Sequence, residues 1–460
     1  MNHLFIALLM LTSLLFAGFG LDRTVWWHLV MAFGGSFLGY ALILRGLETP
    51  FKKISPFSFY LSLGLVIRLA LVFAFPTLSD DIYRFIWDGQ LIRAGINPFA
   101  ELPAYYLDSA NQVAGLSPEL YQLLNSPEYY TIYPPIAQGT FTLAVLISPE
   151  SWYGASVVMK FILLLGEIGS AWLILQILAH YGLPRERLLL YWLNPLIIIE
   201  IVGNIHFEGP MIFFLLLALW AMLKGKWWLA GAGMALSVAS KLLPLLLLPF
   251  LVKRLWPLKT SESSFQGLLI FLVCFLMTLL ISFLPLFFAG FIDNFSRSFD
   301  LYFRRFEFNA GIYYLARSYG YWWYGSNQVQ FFGPLLGKIA AFSILLFALL
   351  ERGFRLARWQ TADAWKSLPT TWMFAFVIYL LCTTTLHPWY LAVPIVLCIF
   401  GRWRFPLVWS ALICLTYATY LYEPYQENLW LVAVEYGVVL AFFLYECKRG
   451  RRESSQASQR

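Results

Sequence analysis

Long apolar stretches recur along almost the whole chain and are separated mainly by short polar loops. The chain of 460 residues is 60% hydrophobic and 12% charged, whereas charged residues make up about a quarter of soluble globular proteins. Backbone groups find no water in a bilayer, so apolar stretches cross it as helices. Since a crossing takes about 20 apolar residues, we predict an all-α polytopic membrane protein with about 12–14 transmembrane helices. The stretches are 4–20, 25–44, 57–75, 155–180, 188–203, 209–223, 227–251, 266–289, 331–351, 370–386, 388–400, 405–422 and 427–446.

The charge and cysteine patterns exclude several classes of protein. The formal net charge is +7, but the basic residues are spread over many short loops and form no basic patch. Such a distribution argues against a nucleic-acid partner. The five cysteines lie within or at the ends of apolar stretches, so neither a disulfide framework nor a zinc site is predicted.

The basic loops predict the orientation of the chain in the membrane, because short loops rich in Lys and Arg stay in the cytoplasm. All of them fall on one side if 132–148 does not cross and if 227–251 is a hairpin that is broken near Lys241 and Pro244. Proline and a lone charge inside an apolar stretch are typical of such an interruption. The basic segments are 45–56, 181–187, 224–226, 252–264, 352–369, 401–404 and the tail from 447, which together hold 21 of the 32 Lys and Arg residues.

This orientation places most of the unusual polar residues on the outer face. The two long connections, 77–154 and 290–330, lie outside the cytoplasm, and loops of such length are usually functional or disordered. Their many aromatic residues favour function. We predict one membrane domain, 1–446, followed by a basic cytoplasmic tail, 447–460.

A short helix is predicted over 80–94, directly after the third apolar stretch. Ser79 is a good N-cap, and Asp80 and Asp81 favour the positive end of the helix dipole. At helical spacing Asp80, Asp81, Arg84 and Asp88 share one face, with apolar residues on the other. We therefore expect the first long loop to carry a helix that lies in the membrane interface with its carboxylates in water.

Within this helix, spacing predicts the partners of each charge. Arg84 is four residues from both Asp80 and Asp88, so it should pair with these two and leave Asp81 the less neutralised carboxylate. Tyr83 and Trp87 flank the polar face, where they could stack on a sugar ring. The alternative is a plain interfacial anchor, whose acidic residues only keep one face solvated.

A family resemblance rests on motifs that run through most of the chain in order. The run S-D-D-I-Y-R-F-I-W-D-G-Q-L-I-R-A-G-I-N-P-F at 79–99 and the run T-I-Y-P-P-I-A-Q at 131–138 are the more specific ones. Both resemble the signature of bacterial membrane mannosyltransferases of the C-type glycosyltransferase superfamily, which use polyprenyl-phosphate sugars as donors. Weaker matches are L-N-P at 193–195, G-N-I-H-F-E at 203–208, S-K-L-L-P at 240–244 and H-P-W-Y at 387–390.

The resemblance implies an enzyme of the cell membrane, with its active site on the extracytoplasmic face. An Asp in the first outer loop then acts as general base on an acceptor hydroxyl, which attacks the anomeric carbon while the lipid phosphate leaves. The D-x-Y spacing points to Asp81 as this base, with Asp80 as helper or runner-up. The residues expected to bind substrate are Tyr83, Arg84, Trp87, Tyr133, His206, Glu208, Lys241, Arg304, Arg305, His387, Trp389 and Tyr390.

The leaving phosphate gains negative charge, so a cation held close to it should matter most. Lys241, Arg304, Arg305 and His387 are the candidates, and each has a structural alternative. Lys241 could instead be a buried lysine paired with a helix end. The two arginines could anchor the chain at lipid phosphates, and the His387 turn could belong to an aromatic belt.

Other interpretations remain open at this point. His206 and Glu208 could bind a divalent metal together with Asp80 or Asp81, although no cofactor is expected. A transporter or flippase of a lipid-linked sugar is the alternative function, and a structural partner in an envelope-polysaccharide complex is a third. The expected partners are the polyprenyl-phosphate sugar, an acceptor hydroxyl of unknown identity and the lipid bilayer.

Overall fold

The computed structural model describes residues 3–47, 56–255, 262–288, 290–351 and 362–458. These residues form helices and no β-strand apart from an isolated bridge between Phe308 and Thr385, which confirms the all-α prediction. The longer helices are His3–Phe19, Gly35–Leu47, Phe57–Val72, Asp81–Arg93, Pro135–Ile147, Trp152–Tyr181, Glu208–Leu223, Trp227–Ser240, Leu248–Leu255, Glu262–Phe283, Phe291–Arg304, Ile312–Tyr324, Val329–Leu350, Ala362–Cys382, Phe405–Leu412 and Leu429–Ser458.

Fewer helices reach the full length of a crossing than the apolar stretches suggested. In the described ranges five are long and apolar enough, with a sixth if the bent pair Pro195–Gly203 and Glu208–Leu223 counts as one. Five further apolar helices have only 10–17 residues. The expected count of about 12–14 is therefore not reached at full length, because several stretches break into short helices inside the protein.

Helix Trp152–Tyr181 separates two groups of loops. Its 30 residues extend for about 45 Å at the rise of an α-helix. At its first turn, the Tyr153 hydroxyl donates to the carbonyl of Phe73, close to the Asp80 loop. At its last residue, the Tyr181 hydroxyl donates to the carbonyl of Trp365. The segment that leads into the acidic pair and Trp365 therefore lie at opposite ends of this helix.

The basic loops meet at the Tyr181 end. Arg187 donates to the carbonyls of Ile399 and Gly401 at 3.0 and 2.9 Å, which joins the loops 181–187 and 401–404. Arg254 pairs with Glu351 at 2.8 Å. The basic segments 45–56, 252–264 and 352–369 lie partly outside the described residues, so the predicted orientation stays a prediction.

The helix predicted at 80–94 forms as Asp81–Arg93, but both of its faces are largely buried in the protein, so it does not present a face of charged residues to water. It packs on helix Pro135–Ile147 so closely that a Cβ at Gly89 would lie 2.7 Å from the carbonyl oxygen of Phe141. The 13-residue partner extends for only about 20 Å, too short for a crossing. Since it contacts Asp81–Arg93 along one side, its apolar sequence serves packing within the loop region.

The break expected near Lys241 is confirmed. Helix Trp227–Ser240 ends there, Lys241 is extended at φ −162° and ψ 137°, and a 3-10 helix, Leu243–Leu247, contains Pro244. By contrast, nothing interrupts the last helix at the predicted start of the tail. Leu429–Ser458 is one helix of 30 residues, so 447–458 continues the final apolar helix.

Candidate active site

The acidic pair stands at the start of helix Asp81–Arg93. Asp81 is half-buried, and its Oδ1 accepts a hydrogen bond from Asn125 Nδ2 at 2.5 Å. Its backbone N–H donates to Ser79 Oγ at 3.3 Å. Among the residues that the structure describes, Asp81 has no ion-pair partner. It is therefore a carboxylate held by neutral groups, as the sequence predicted.

Asp80 has a different partner from the one that spacing suggested. Its Oδ2 lies 2.7 Å from Arg23 of the first loop, not next to Arg84. The Arg23 guanidinium also lies 4.6 Å from the centre of the Tyr420 ring. Burial opposes the charge of Arg23, but the hydrogen bond and the charge of Asp80 outweigh it and raise the pKa of Arg23. Arg23 was not among the predicted residues, although a lone arginine in a predicted outer loop is itself a signal.

Arg84 and Asp88 form a buried pair. Arg84 Nε donates to Asp88 Oδ1 at 2.9 Å, and its Nη1 donates to the carbonyls of Ser126 and Tyr129. Gln138 donates to Asp88 Oδ2 at 2.9 Å. The expectation that Arg84 and Asp88 face water is wrong, because the segment 126–129 covers Arg84 and Gln138 of helix Pro135–Ile147 covers Asp88. The pair fixes the loop around 126–129 against the helix.

The aromatic residues of this region differ in their exposure. Trp87 is fully buried next to Tyr121, so it presents no free face to a sugar and its predicted stacking role is wrong. Tyr83 is half-buried against Trp152, and burial together with the charge of Asp80 raises the pKa of Tyr83. Tyr133 packs edge to face on Phe85 at 4.9 Å. Tyr83 and Tyr133 stay predicted contacts.

The turn that begins at Asn204 binds the backbone just before the acidic pair. Asn204 Oδ1 accepts hydrogen bonds from the backbone N–H groups of Thr77 and Leu78, both at 3.1 Å. Ile205 has a φ of 61°, which is strained for a β-branched residue. Strain of this kind is common at functional turns. The sequence before Asp80 is thus tied directly to the G-N-I-H-F-E motif.

His206 is anchored to Glu200. Its Nδ1 lies 2.9 Å from the Glu200 carbonyl oxygen and 3.1 Å from Glu200 Oε2. The Tyr417 hydroxyl donates to the other carboxylate oxygen of Glu200. His206 Nε2 is buried and has no hydrogen-bond partner within the described ranges. Glu200 therefore fixes the orientation of the imidazole ring.

Lys241 pairs with Glu208, two residues after His206. The Glu208 side chain is fully buried, whereas Lys241 keeps 27% of its side chain exposed. The Lys241 ammonium also lies 4.6 Å from the centre of the Tyr390 ring. The lysine is thus partnered on one side and accessible on the other.

The H-P-W-Y turn adds a column of stacked rings. Trp389 lies between His206 and His387, with centroid distances of 3.7 and 4.5 Å. His387 stacks in turn on Phe308 at 5.0 Å. Burial, followed by the positive charges of Lys241 and His206, holds the pKa of His387 well below its usual range. His387 is therefore neutral near pH 7 in this structure, and its contact with the leaving phosphate stays a prediction.

Arg304 and Arg305 lie at the edge of this region. Arg304 pairs with Asp300 at 2.7 Å, and both side chains are about half exposed. Arg305 is exposed, and the next residue, Phe306, packs edge to face on Tyr129 at 5.5 Å. The two long loops therefore touch each other, and the arginines lie near the loop that carries Asn125.

The arrangement required for the metal alternative is not formed. Asp80 is bound to Arg23, His206 to Glu200, and Glu208 to Lys241. In the described part of the chain, no three His, Cys, Asp or Glu side chains are grouped so that they could hold a metal ion. These side chains instead connect separate segments of the site.

Comparison with known proteins gives a family match to the first half of the chain. The sequence model described as alpha-(1->6)-mannopyranosyltransferase, N-terminal domain, matches residues 8–256. This range contains the acidic pair, His206, Glu208 and Lys241. It does not contain the H-P-W-Y turn or Phe308.

Individual relatives are similar over shorter regions. Alpha-(1->6)-mannopyranosyltransferase B of Corynebacterium glutamicum is 26% identical over 206 residues, which is 43% of this chain and 33% of the relative. Alpha-(1->6)-mannopyranosyltransferase A of the same organism is 26% identical over 198 residues, 41% of this chain and 39% of the relative. GPI mannosyltransferase 1 of Aspergillus oryzae is 32% identical over 126 residues, 26% of this chain and 30% of the relative. The matched region thus spans less than half the length of each relative.

Proposed function

Because the chain belongs to the family described as alpha-(1->6)-mannopyranosyltransferase, N-terminal domain, we propose that it is an integral-membrane mannosyltransferase. It moves a mannose from a polyprenyl-phosphate donor to an acceptor hydroxyl on the extracytoplasmic face. The names of the relatives support the sugar, and the two sets of loops at opposite ends of helix Trp152–Tyr181 support a separate face for the reaction.

In the proposed reaction Asp81 is the general base. The acceptor hydroxyl gives its proton to Asp81, and its oxygen forms a bond to the anomeric carbon of the donor. The bond from that carbon to the phosphate oxygen breaks, so the polyprenyl phosphate leaves with the electron pair. A single displacement of this kind inverts the anomeric carbon. Support for this role comes from the accessible position of Asp81 and from Asn125, which orients one oxygen and leaves the other open.

Lys241 stabilises the leaving phosphate. It is a partly exposed cation next to the Tyr390 ring, whereas Arg304 is paired with Asp300 on the surface. Its partner Glu208 holds the ammonium group in one place. Tyr390 and Trp389 line the same side, where apolar rings exclude water and strengthen the attraction between charges. The proposal names no cofactor.

One observation carries the proposal. Asn204 holds the backbone just before the acidic pair, and Glu208, four residues later, holds Lys241. A single turn therefore links the proposed base to the proposed phosphate cation. In a transferase these groups must act on opposite sides of the same anomeric carbon.

The test is transfer by the purified full chain in proteoliposomes. Labelled polyprenyl-phosphate mannose and a lipid extract containing acceptors are supplied, and glycolipid products are measured by mass spectrometry. Asp81→Asn should abolish transfer at normal expression. Asp108→Asn, an exposed change in the same long loop, is the matched control and should not. Lipid translocation without transfer, or full transfer by Asp81→Asn, would contradict the proposal.

A further inference from the structure

Arg23 reaches the acidic pair from a loop that is distant in sequence. Its Nη2 lies 2.7 Å from Asp80 Oδ2, and its guanidinium stacks on Tyr420. The Tyr420 hydroxyl donates to the carbonyl of Leu78 at 3.3 Å, two residues before Asp80. Arg23 is thus held by the side chain of Asp80. Its stacking partner, Tyr420, is bound to the backbone segment that leads into the acidic pair.

The charges around Asp81 can be counted within the described residues. Arg84 forms a buried ion pair with Asp88 and is not available to the acidic pair. Among the described residues, Arg23 is therefore the cation that pairs with Asp80 next to Asp81. By this count, Asp81 is the carboxyl group of the pair that has no cation partner. The other side chains that contact or act on Asp81 are uncharged near pH 7: the amide of Asn125 and the phenol of Tyr420.

We infer that Arg23 is a positioning residue for Asp81, because it neutralises Asp80 and so keeps Asp81 ionised as the single base of the site. The inference rests on the proposed function, in which Asp81 accepts the proton of the acceptor hydroxyl. Two neighbouring carboxylates repel each other, so without Arg23 one of them retains a proton to higher pH. A base that carries a proton cannot accept another, and transfer is then lost at mildly acidic pH.

This role differs from that of a simple clamp on the loop. A clamp depends on the shape and stacking of the arginine, and its loss lowers the rate at every pH. Charge neutralisation depends on the balance between Arg23 and Asp80. Removing both charges should therefore restore the pH dependence even though the contact itself is gone.

The first experiment measures kcat/KM for mannose transfer against pH in the reconstituted full chain. Arg23→Ala should move the acid limb upward by about one pH unit. Arg23→Lys, which keeps the charge, should leave the limb in place, and Arg23→Ala combined with Asp80→Asn should return it. An unmoved limb in Arg23→Ala would overturn the inference, as would a double variant that keeps the shift of the single variant.

A second experiment does not depend on sugar transfer. Dicyclohexylcarbodiimide reacts with protonated carboxyl groups, and tandem mass spectrometry locates the label on Asp81 or Asp80. In detergent-purified protein, the pH midpoint of Asp81 labelling should rise in Arg23→Ala and return in the double variant. A labelling shift in a protein that transfers no mannose would reject the proposed function and support the charge role of Arg23. If the unsubstituted chain transfers mannose but Arg23→Ala does not shift the pH midpoint of labelling, the role of Arg23 is rejected and the proposed function stands.

Discussion

Lys241 forms an ion pair with Glu208, and the carboxylate is fully buried while the ammonium is partly exposed. One carboxylate oxygen of Glu208 contacts the Lys241 ammonium, and the other is buried without a hydrogen-bond partner among the described residues. A buried carboxylate is costly without its cation. The pair therefore stabilises the fold at the same place where Lys241 is proposed to bind phosphate.

Replacing Lys241 should separate these two effects. Lys241→Met should lower transfer by about 100-fold, as for the loss of one group that stabilises developing charge. It should also lower the apparent melting temperature in detergent, because Glu208 is left uncompensated. Adding Glu208→Gln should restore the melting temperature and leave transfer low. Recovery of both in the double variant would argue against a phosphate role for Lys241.

The buried pair of Arg84 and Asp88 should matter for stability. Asp88→Ala leaves the Arg84 charge inside the protein, which should cost about 3–5 kcal/mol of unfolding free energy. Thermal unfolding in detergent measures the loss. Asp300→Ala removes the exposed partner of Arg304 and should change stability by less than about 1 kcal/mol. Equal losses in the two variants would contradict the burial argument.

The close packing at Gly89 allows a matched comparison of two glycines. Gly89→Ala places a Cβ 2.7 Å from the Phe141 carbonyl oxygen and should destabilise the protein by about 1–3 kcal/mol. Gly139→Ala lies on the partner helix, where a Cβ meets nothing within 4 Å. It should not lower the melting temperature. A tolerated alanine at Gly89 would show that the two helices can separate without cost.

The ring column predicts which property of His387 is needed. His387 is neutral and stacked between Trp389 and Phe308, so the flat ring should matter more than its nitrogens. His387→Phe should retain most of the transfer activity, and His387→Ala should lose it. Initial rates at saturating donor measure the difference. If His387→Phe is as inactive as His387→Ala, the nitrogens contact substrate directly.

Chelation should not affect transfer. Asp80, Glu208 and Nδ1 of His206 each contact a protein partner, and the described residues contain no group of three side chains that could hold a metal ion. Treatment of the purified protein with EDTA should therefore leave the rate unchanged. Loss of activity that returns with one divalent metal would show that the site rearranges around an ion.

The sequence predicted where helices begin and break better than it predicted which distant segments pack on them. Local spacing predicted the helix after Ser79, the break at Lys241 and the isolation of Asp81, because each depends on residues close in sequence. It failed for Arg84 and Trp87, which the sequence placed at a water-facing surface. Ser126 and Tyr129 cover Arg84 and Tyr121 packs on Trp87, and no local pattern specifies which distant segment will cover a helix.

The sequence by itself determined the membrane class, the helical fold and the acidic residues that carry the proposed chemistry, because hydrophobic length and neighbouring charges are properties of short segments. Local spacing also predicted the pair of Arg84 with Asp88, whereas only the tertiary structure decided the partners of Asp80 and Lys241. Arg23 reaches Asp80 across 57 positions and Lys241 reaches Glu208 across 33. Both pairs form because burial makes an unpaired charge expensive, and the packing of distant helices selects which opposite charge is near enough to compensate it.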